Sequence, residues 1–184
     1  KVVFRNCSFN NVLDAAKQTV GIEGANTEVA FEDCYFKPDN YDAIFFVGAA
    51  SAPGTDEASI VLERCVLDAD NTVLQTPYNQ DGAVIYQNSG MLRQLTLRDC
   101  VMKNFRFGIA TDTNSAAGTN AKRVVLDGCD FEGAKAPYTW FAAGHVPTEV
   151  LSITNCRIKA TVSDFFETEG TFDGCAFVSC LFDT

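Results

Sequence analysis

The chain has 184 residues, 47% of them hydrophobic and 21% charged, enough for one sizeable core and short for two ordinary domains. Its 24 acidic residues outnumber 14 basic ones, giving a formal net charge of −10 and a pI near 4.4; nucleic acid, which calls for a positive field, is excluded as the expected partner. Apolar runs are only a few residues long, too short for a membrane-spanning helix, and the opening KVVFRNCSFN lacks the regions of a signal peptide.

Predicted strands begin at once. Val2, Val3 and Phe4 lead into FRNCSF at 4–9, and TVGIEG at 19–24 supplies a further apolar segment. The pattern then recurs: Val29 and Ala30 before FEDCYF at 31–36, with AIFFVG at 43–48 after it. Ile60 and Val61 precede LERCVL at 62–67, followed by AVIYQN at 83–88. LRDCVM at 97–102 is followed by GIATDT at 108–113, and Val124 and Val125 run into LDGCDF at 126–131, then TWFAAG at 139–144. ITNCRI at 153–158, DFFETE at 164–169 and FDGCAF at 172–177 complete the series.

This is an internal repeat with the consensus apolar, polar, polar, Cys, any residue, apolar. Alternation on both sides of the cysteine indicates strand, yet Phe4 and Cys7 cannot both face inward along one straight strand of period two. A corner is predicted just before each cysteine, at Asn6, Asp33, Arg64, Asp99, Gly128, Asn155 and Gly174. Six of these seven are Asn, Asp or Gly, the types that tolerate a positive φ; Arg64 is the unexplained exception.

The eight cysteines stand at 7, 34, 65, 100, 129, 156, 175 and 180, without a CxxC pair and with a single histidine in the chain, which argues against a zinc site. From Cys7 to Cys175 six intervals cover 168 residues, a mean of 28, without the 3.6-residue period of helical repeats. Three short strands per repeat predict a solenoid of β-coils. In parallel coils equivalent residues stack about 4.8 Å apart, wider than the spacing a disulfide prefers. Cys7, Cys34, Cys65, Cys100, Cys129, Cys156 and Cys175 are therefore expected as a ladder of free, buried thiols, with a Cys175–Cys180 disulfide as the minority alternative.

Unequal coils, a Cys-x-apolar ladder, Asn/Asp/Gly corners and a following GI-type strand resemble the right-handed parallel β-helix of the pectin-lyase-like superfamily across essentially the whole chain. The resemblance implies an all-β solenoid of about six to seven coils over residues 1–184, read as one domain and as a segment of a longer chain. In style the coils are similar to β-helix domains of Bacteroidetes surface proteins. Such a fold hosts lyases, hydrolases, adhesins and noncatalytic surface domains alike, so function has to be sought in individual residues.

His145 after Gly144, with Arg157-Ile158-Lys159 downstream, touches on polygalacturonase elements, but Val146 replaces the second glycine and only 12 residues separate His145 from Arg157. A lyase needs a base and charge stabilisation for the enolate; the nearest set is Lys103, Arg106, Asp81 and Asp112, which more often would decorate exposed turns. Asp39, Asp42, Asp68, Asp70 and Asp81 are candidate oxygen ligands for Ca²⁺ without the spacing of a calcium loop, and no cofactor is expected.

In the third strand set, an alignment with Val20, Ile44, Val84, Ile109 and Phe165 inward puts Gly21, Phe45, Ile85, Ala110, Trp140 and Phe166 outward. Phe45, Trp140 and Phe166, with Tyr78, Tyr86 and Tyr138 in or beside neighbouring turns, then form a stacking platform for sugar rings or a docking surface for a neighbouring domain. A one-residue register change would turn the stripe into core. Three functions follow: a secreted or cell-surface β-helix that binds or helps to process polysaccharide, noncatalytic in this segment; a structural or adhesive solenoid; or a polysaccharide lyase or hydrolase.

Overall fold

A computed structural model of the chain describes residues 1–10, 20–23, 26–37, 45–48, 57–68, 83–87, 91–103, 107–111, 121–132, 139–142, 150–159 and 174–183. The first coil contains β1 (Val2–Arg5), β2 (Ser8–Asn10) and β3 (Val20–Glu23), and the second β4 (Thr27–Glu32), β5 (Tyr35–Lys37) and β6 (Phe45–Gly48). β7 (Glu57–Glu63), β8 (Val66–Asp68) and β9 (Ala83–Gln87) make the third, β10 (Met91–Arg98), β11 (Val101–Lys103) and β12 (Phe107–Thr111) the fourth. The fifth has β13 (Ala121–Asp127), β14 (Asp130–Glu132) and β15 (Thr139–Ala142). β16 (Val150–Thr154) and β17 (Arg157–Lys159) follow, then β18 (Cys175–Val178) and β19 (Leu181–Asp183).

Every pairing is parallel and joins corresponding strands of adjacent coils. The first strands form a sheet of order β1-β4-β7-β10-β13-β16-β18, the second strands one of order β19-β17-β14-β11-β8-β5-β2, and the third strands one of order β15-β12-β9-β6-β3. Parallel neighbours cannot be joined by a tight hairpin, so the rest of each coil serves as the crossover. The result is a parallel β-helix of about seven coils, the architecture expected from the repeat.

Registered columns build the core. Phe4, Phe31, Leu62, Leu97, Leu126, Ile153 and Phe177 occupy one position of the first sheet. Phe9, Phe36, Leu67, Met102, Phe131, Ile158 and Phe182 occupy one position of the second. Phe31, Phe36, Leu62, Leu67 and Leu97 are wholly inaccessible to solvent, and each such side chain contributes about 1.5–3 kcal/mol by leaving water. At the first two coils the columns are aromatic: Phe4 stacks on Phe31 with ring centroids 5.1 Å apart and Phe9 on Phe36 at 4.8 Å, while Phe31 meets Phe36 edge to face.

The corner between first and second strands is two residues long in every coil. Its first residue has positive φ: Asn6, Asp33, Arg64, Asp99, Gly128, Asn155 and Ser179, all between 51° and 64°. Two backbone bonds lock each joint. The corner N–H donates forward, as from Asp33 to the Glu63 carbonyl at 3.0 Å, and the residue after the cysteine donates backward, as from Val66 to the Cys34 carbonyl at 2.9 Å. Arg64 has its explanation here. Its guanidinium makes a bidentate pair with Asp33 of the preceding corner at 2.7 and 2.9 Å, which ties the side chain across the joint in a left-handed conformation that a Cβ otherwise disfavours.

One expectation is corrected. The seventh corner is Ser179, not Gly174, and the cysteine that follows it is Cys180, not Cys175. Cys175 instead lies within β18, paired with Leu151. FDGCAF therefore copies the consensus without making a corner, whereas FVSCLF at 177–182 makes it. A coil measured from Cys156 to Cys180 has 24 residues, nearer its neighbours than the 19 to Cys175. All eight cysteines are free, including Cys175 and Cys180.

Candidate functional site

The cysteines are packing groups in this arrangement. Cys34, Cys65, Cys100, Cys129 and Cys156 are buried, and their thiols donate to carbonyl oxygens, as Cys65 does to Phe31 at 3.5 Å and to Glu63 at 3.4 Å. Burial pushes the Cys34 thiol up, and contact with Cys100 together with burial does the same for Cys65. Cys34 and Cys65, held protonated in this way, are poor nucleophiles and poor metal ligands.

Charged residues on the outer faces are tied across coils. Arg5 holds Glu32 at 2.7 Å, Lys1 holds Glu28 at 3.0 Å, and Arg98 holds Glu63 at 2.9 Å. The guanidinium of Arg5 and the ammonium of Lys1 keep Glu32 and Glu28 below the usual carboxylate range, and Arg64 does the same for Asp33. Asp127 is lowered by hydrogen bonds from Thr154 at 2.7 Å and Asn155 at 3.0 Å. A general acid or base working near neutrality requires a carboxyl shifted the other way, so these four suit register-keeping rather than proton transfer.

Of the set considered for lyase chemistry, Lys103 lies on β11 with its ammonium 3.4 Å from Glu132; Arg106, Asp81 and Asp112 lie outside the described residues. Arg157 belongs to β17, where it binds Asp130 at 2.9 Å while the adjacent Ile158 is buried; His145 is outside the described residues. Of the candidate calcium ligands, Asp68 is on β8 and Asp39, Asp42, Asp70 and Asp81 are outside them. Among the described residues no group of three or more His, Cys, Asp or Glu is placed to hold a metal ion, and no helix is long and apolar enough to cross a membrane.

The third sheet carries the aromatic candidates, and its register changes their grouping. Val20, Phe45, Ile85, Ile109 and Phe141 share one position from coil to coil. Ile22, which has the same parity as Val20, is 3% exposed, and Val20 itself packs against the core, so these two face inward. The pairing thus sets Phe45 and Ile85 in register with Val20, whereas the expected alignment set them in register with Gly21. The neighbouring position holds Gly21, Phe46, Tyr86 and Ala110. Gly21 is exposed, and a Cβ added to it would meet open space. Trp140 falls between Thr139, paired with Phe107, and Phe141, paired with Ile109. Phe166, Tyr78 and Tyr138 lie outside the described residues.

Phe46 was not among the expected residues; aligning VGI, FFV, IYQ and IAT as triplets puts Gly21, Phe46, Tyr86 and Ala110 in the middle place. A second feature had no sequence signal. On the outer face of the first sheet, Val3, Ala30 and Val61 floor a depression of about 170 Å³ bordered by Lys1, Arg5, Glu32 and Glu63. Its charged walls are already paired, Arg5 with Glu32, Lys1 with Glu28 and Glu63 with Arg98, which leaves a small apolar floor as its main offer to a ligand.

No family model, curated protein or solved structure matches the chain.

Proposed function

We propose that the chain is an extracellular or cell-surface β-helix domain that binds polysaccharide, or presents it to another catalyst, without carrying out the reaction itself. The observation that supports this reading is the register of the third sheet. There Phe46 and Tyr86 are paired neighbours, flanked by the small residues Gly21 and Ala110, and Trp140 has the same parity. Aromatic faces stack on the apolar CH faces of pyranose rings, and small flanking residues let a flat chain approach the sheet. Successive coils about 4.8 Å apart offer repeated contacts along one polymer rather than a single deep pocket.

Affinity electrophoresis through gels containing neutral or acidic polysaccharides tests it. Retardation on at least one glycan is expected, with Tyr86→Ala and Trp140→Ala each weakening it about tenfold at unchanged melting temperature, the equivalent of one lost stacking contact of about 1.4 kcal/mol. Migration unaffected by every glycan would overturn the proposal in favour of a structural or adhesive solenoid. Release of unsaturated uronate from pectate or alginate would overturn its noncatalytic part.

A further inference from the structure

In the second sheet the buried column of Phe36, Leu67, Met102, Phe131 and Ile158 alternates with two outward ones. Tyr35, Val66, Val101, Asp130 and Arg157 make the first outward column, and Lys37, Asp68, Lys103, Glu132 and Lys159 the second. In the first, Tyr35 is 36% exposed and Val66 and Val101 are half-buried, so three successive coils show an apolar patch. In the second, the sign of the charge changes at every coil. The corner column alongside holds Asp33, Arg64, Asp99 and Gly128, and among the described residues the Asp99 carboxylate has no partner.

A column of alternating charge complements itself when it is reversed. Its period is the spacing of stacked strands, about 4.8 Å, which a second sheet of the same kind matches coil for coil. The centre of reversal decides what else meets. With β8 facing β11 of a second copy, Asp68 opposes Lys103, Val66 opposes Val101 and Arg64 opposes Asp99. One coil further out β5 faces β14, so that Lys37 opposes Glu132 and the Tyr35 hydroxyl opposes the Asp130 carboxylate. No like charges stand directly opposite each other in these coils. A centre one coil along, with β11 facing β14, would set Val101 against Asp130 and leave no apolar middle. Parallel copies, each coil facing its own equivalent, would set Asp130 against Glu132.

We infer that the outer face of the second sheet is a docking surface for a second copy of this chain, the two solenoids lying antiparallel about a two-fold axis between β8 and β11. Val66 and Val101 of both copies form its apolar centre and the charged columns its rim, the usual anatomy of a protein interface. Every contact involves coils two to five. The pairing is isologous, so it closes at two copies. It uses a different sheet from the aromatic positions of the third and does not depend on glycan binding. The face is small, and the dimer is expected to be weak, forming at high protein concentration.

Sedimentation equilibrium on the intact chain tests this. The mass is expected to rise with concentration from 20.0 kDa toward twice that value and no further. Lys103→Glu sets two carboxylates against each other at both symmetric positions, and Asp68→Lys sets two ammonium groups there. Each variant alone is expected to dimerise at least about tenfold more weakly. An equal mixture of the two recovers the dimer, because every opposed pair is again of opposite sign, and the double variant recovers it for the same reason. Circular dichroism identifies a variant that has not folded, and Tyr35→Asp, placed against Asp130 of the second copy, then takes its place. A parent that stays at 20.0 kDa up to about 1 mM, growth past a dimer, variants that associate as the parent does, or a mixture of folded variants no better than either alone would each overturn the inference.

Discussion

Leu67 and Phe182 hold the same place in their coils, yet Leu67 is wholly buried and Phe182 is 53% exposed. Nothing in the local sequence makes this difference: both follow a corner and a cysteine, and both point inward. What differs is the number of neighbours. A coil of this kind has almost no interior of its own, and burial is conferred by the coils above and below it. The middle coils are therefore where stability resides.

Thiol chemistry should separate the two regions most widely. Cys175 is exposed, and Cys34, Cys65, Cys100, Cys129 and Cys156 are buried. With a disulfide-exchange reagent followed by mass spectrometry, Cys175 is expected to be labelled somewhat more slowly than an unstructured thiol, because burial raises it, and the five buried groups on the order of 10³-fold more slowly still or not at all before unfolding. Labelling of Cys100 within about tenfold of Cys175 would show that the middle coils open as readily as the ends.

Truncation should give a smaller contrast of the same sign. Leu67→Ala is expected to cost about 2–5 kcal/mol in urea unfolding, since it empties a closed site. Phe182→Ala, measured in dilute protein, should cost about 1 kcal/mol or less, because half of the ring is already in water. Equal losses would mean that the last coil is sealed by something other than its own neighbours.

The smallest effect concerns two corners. Gly128 has φ +64°, and a Cβ there would lie 2.5 Å from Oδ1 of Asp99 in the preceding coil. Arg64 adopts nearly the same conformation with a full side chain, supported by Asp33. Gly128→Ala is expected to cost about 1–2 kcal/mol, and Asp99→Gly in the same chain should recover the steric part while leaving the backbone part. A recovery of the entire loss would show that the left-handed conformation is not what selects the corner residue.

The corner was legible because its length never varies. Two residues always separate the first strand from the second, so the parity change at Phe4 and Cys7 recurs in each copy, and Asn, Asp and Gly mark the same step. The third sheet had no such anchor. From three residues between β11 and β12 to fourteen between β8 and β9, the connections that lead into it vary, and a change of one residue exchanges inside for outside. Phe45 and Phe46 are adjacent, equally apolar and indistinguishable by type; only their pairing with Val20 and Gly21 separates them. The exchange of Cys175 for Cys180 has a different cause. FDGCAF matches the motif more closely, with Gly in the corner place, although Ser179-Cys180 with Phe177 and Phe182 meets the same requirements at a more usual spacing. Arg64 was opaque for a third reason, since its support comes from a residue 31 positions away.

Because each corner presents the same pair of backbone bonds, forward from one residue and backward from another, the corners act as interchangeable splice points. A gene cut at one corner codon and rejoined at the next loses a whole turn and restores the same joint; a duplication between the same points gains one. Only side-chain pairs such as Arg64 with Asp33 distinguish one junction from another. Deletion of residues 64–98, which brings Glu63 directly to Asp99, is such an edit: it keeps the two-residue corner and removes the partner that Asp33 now holds.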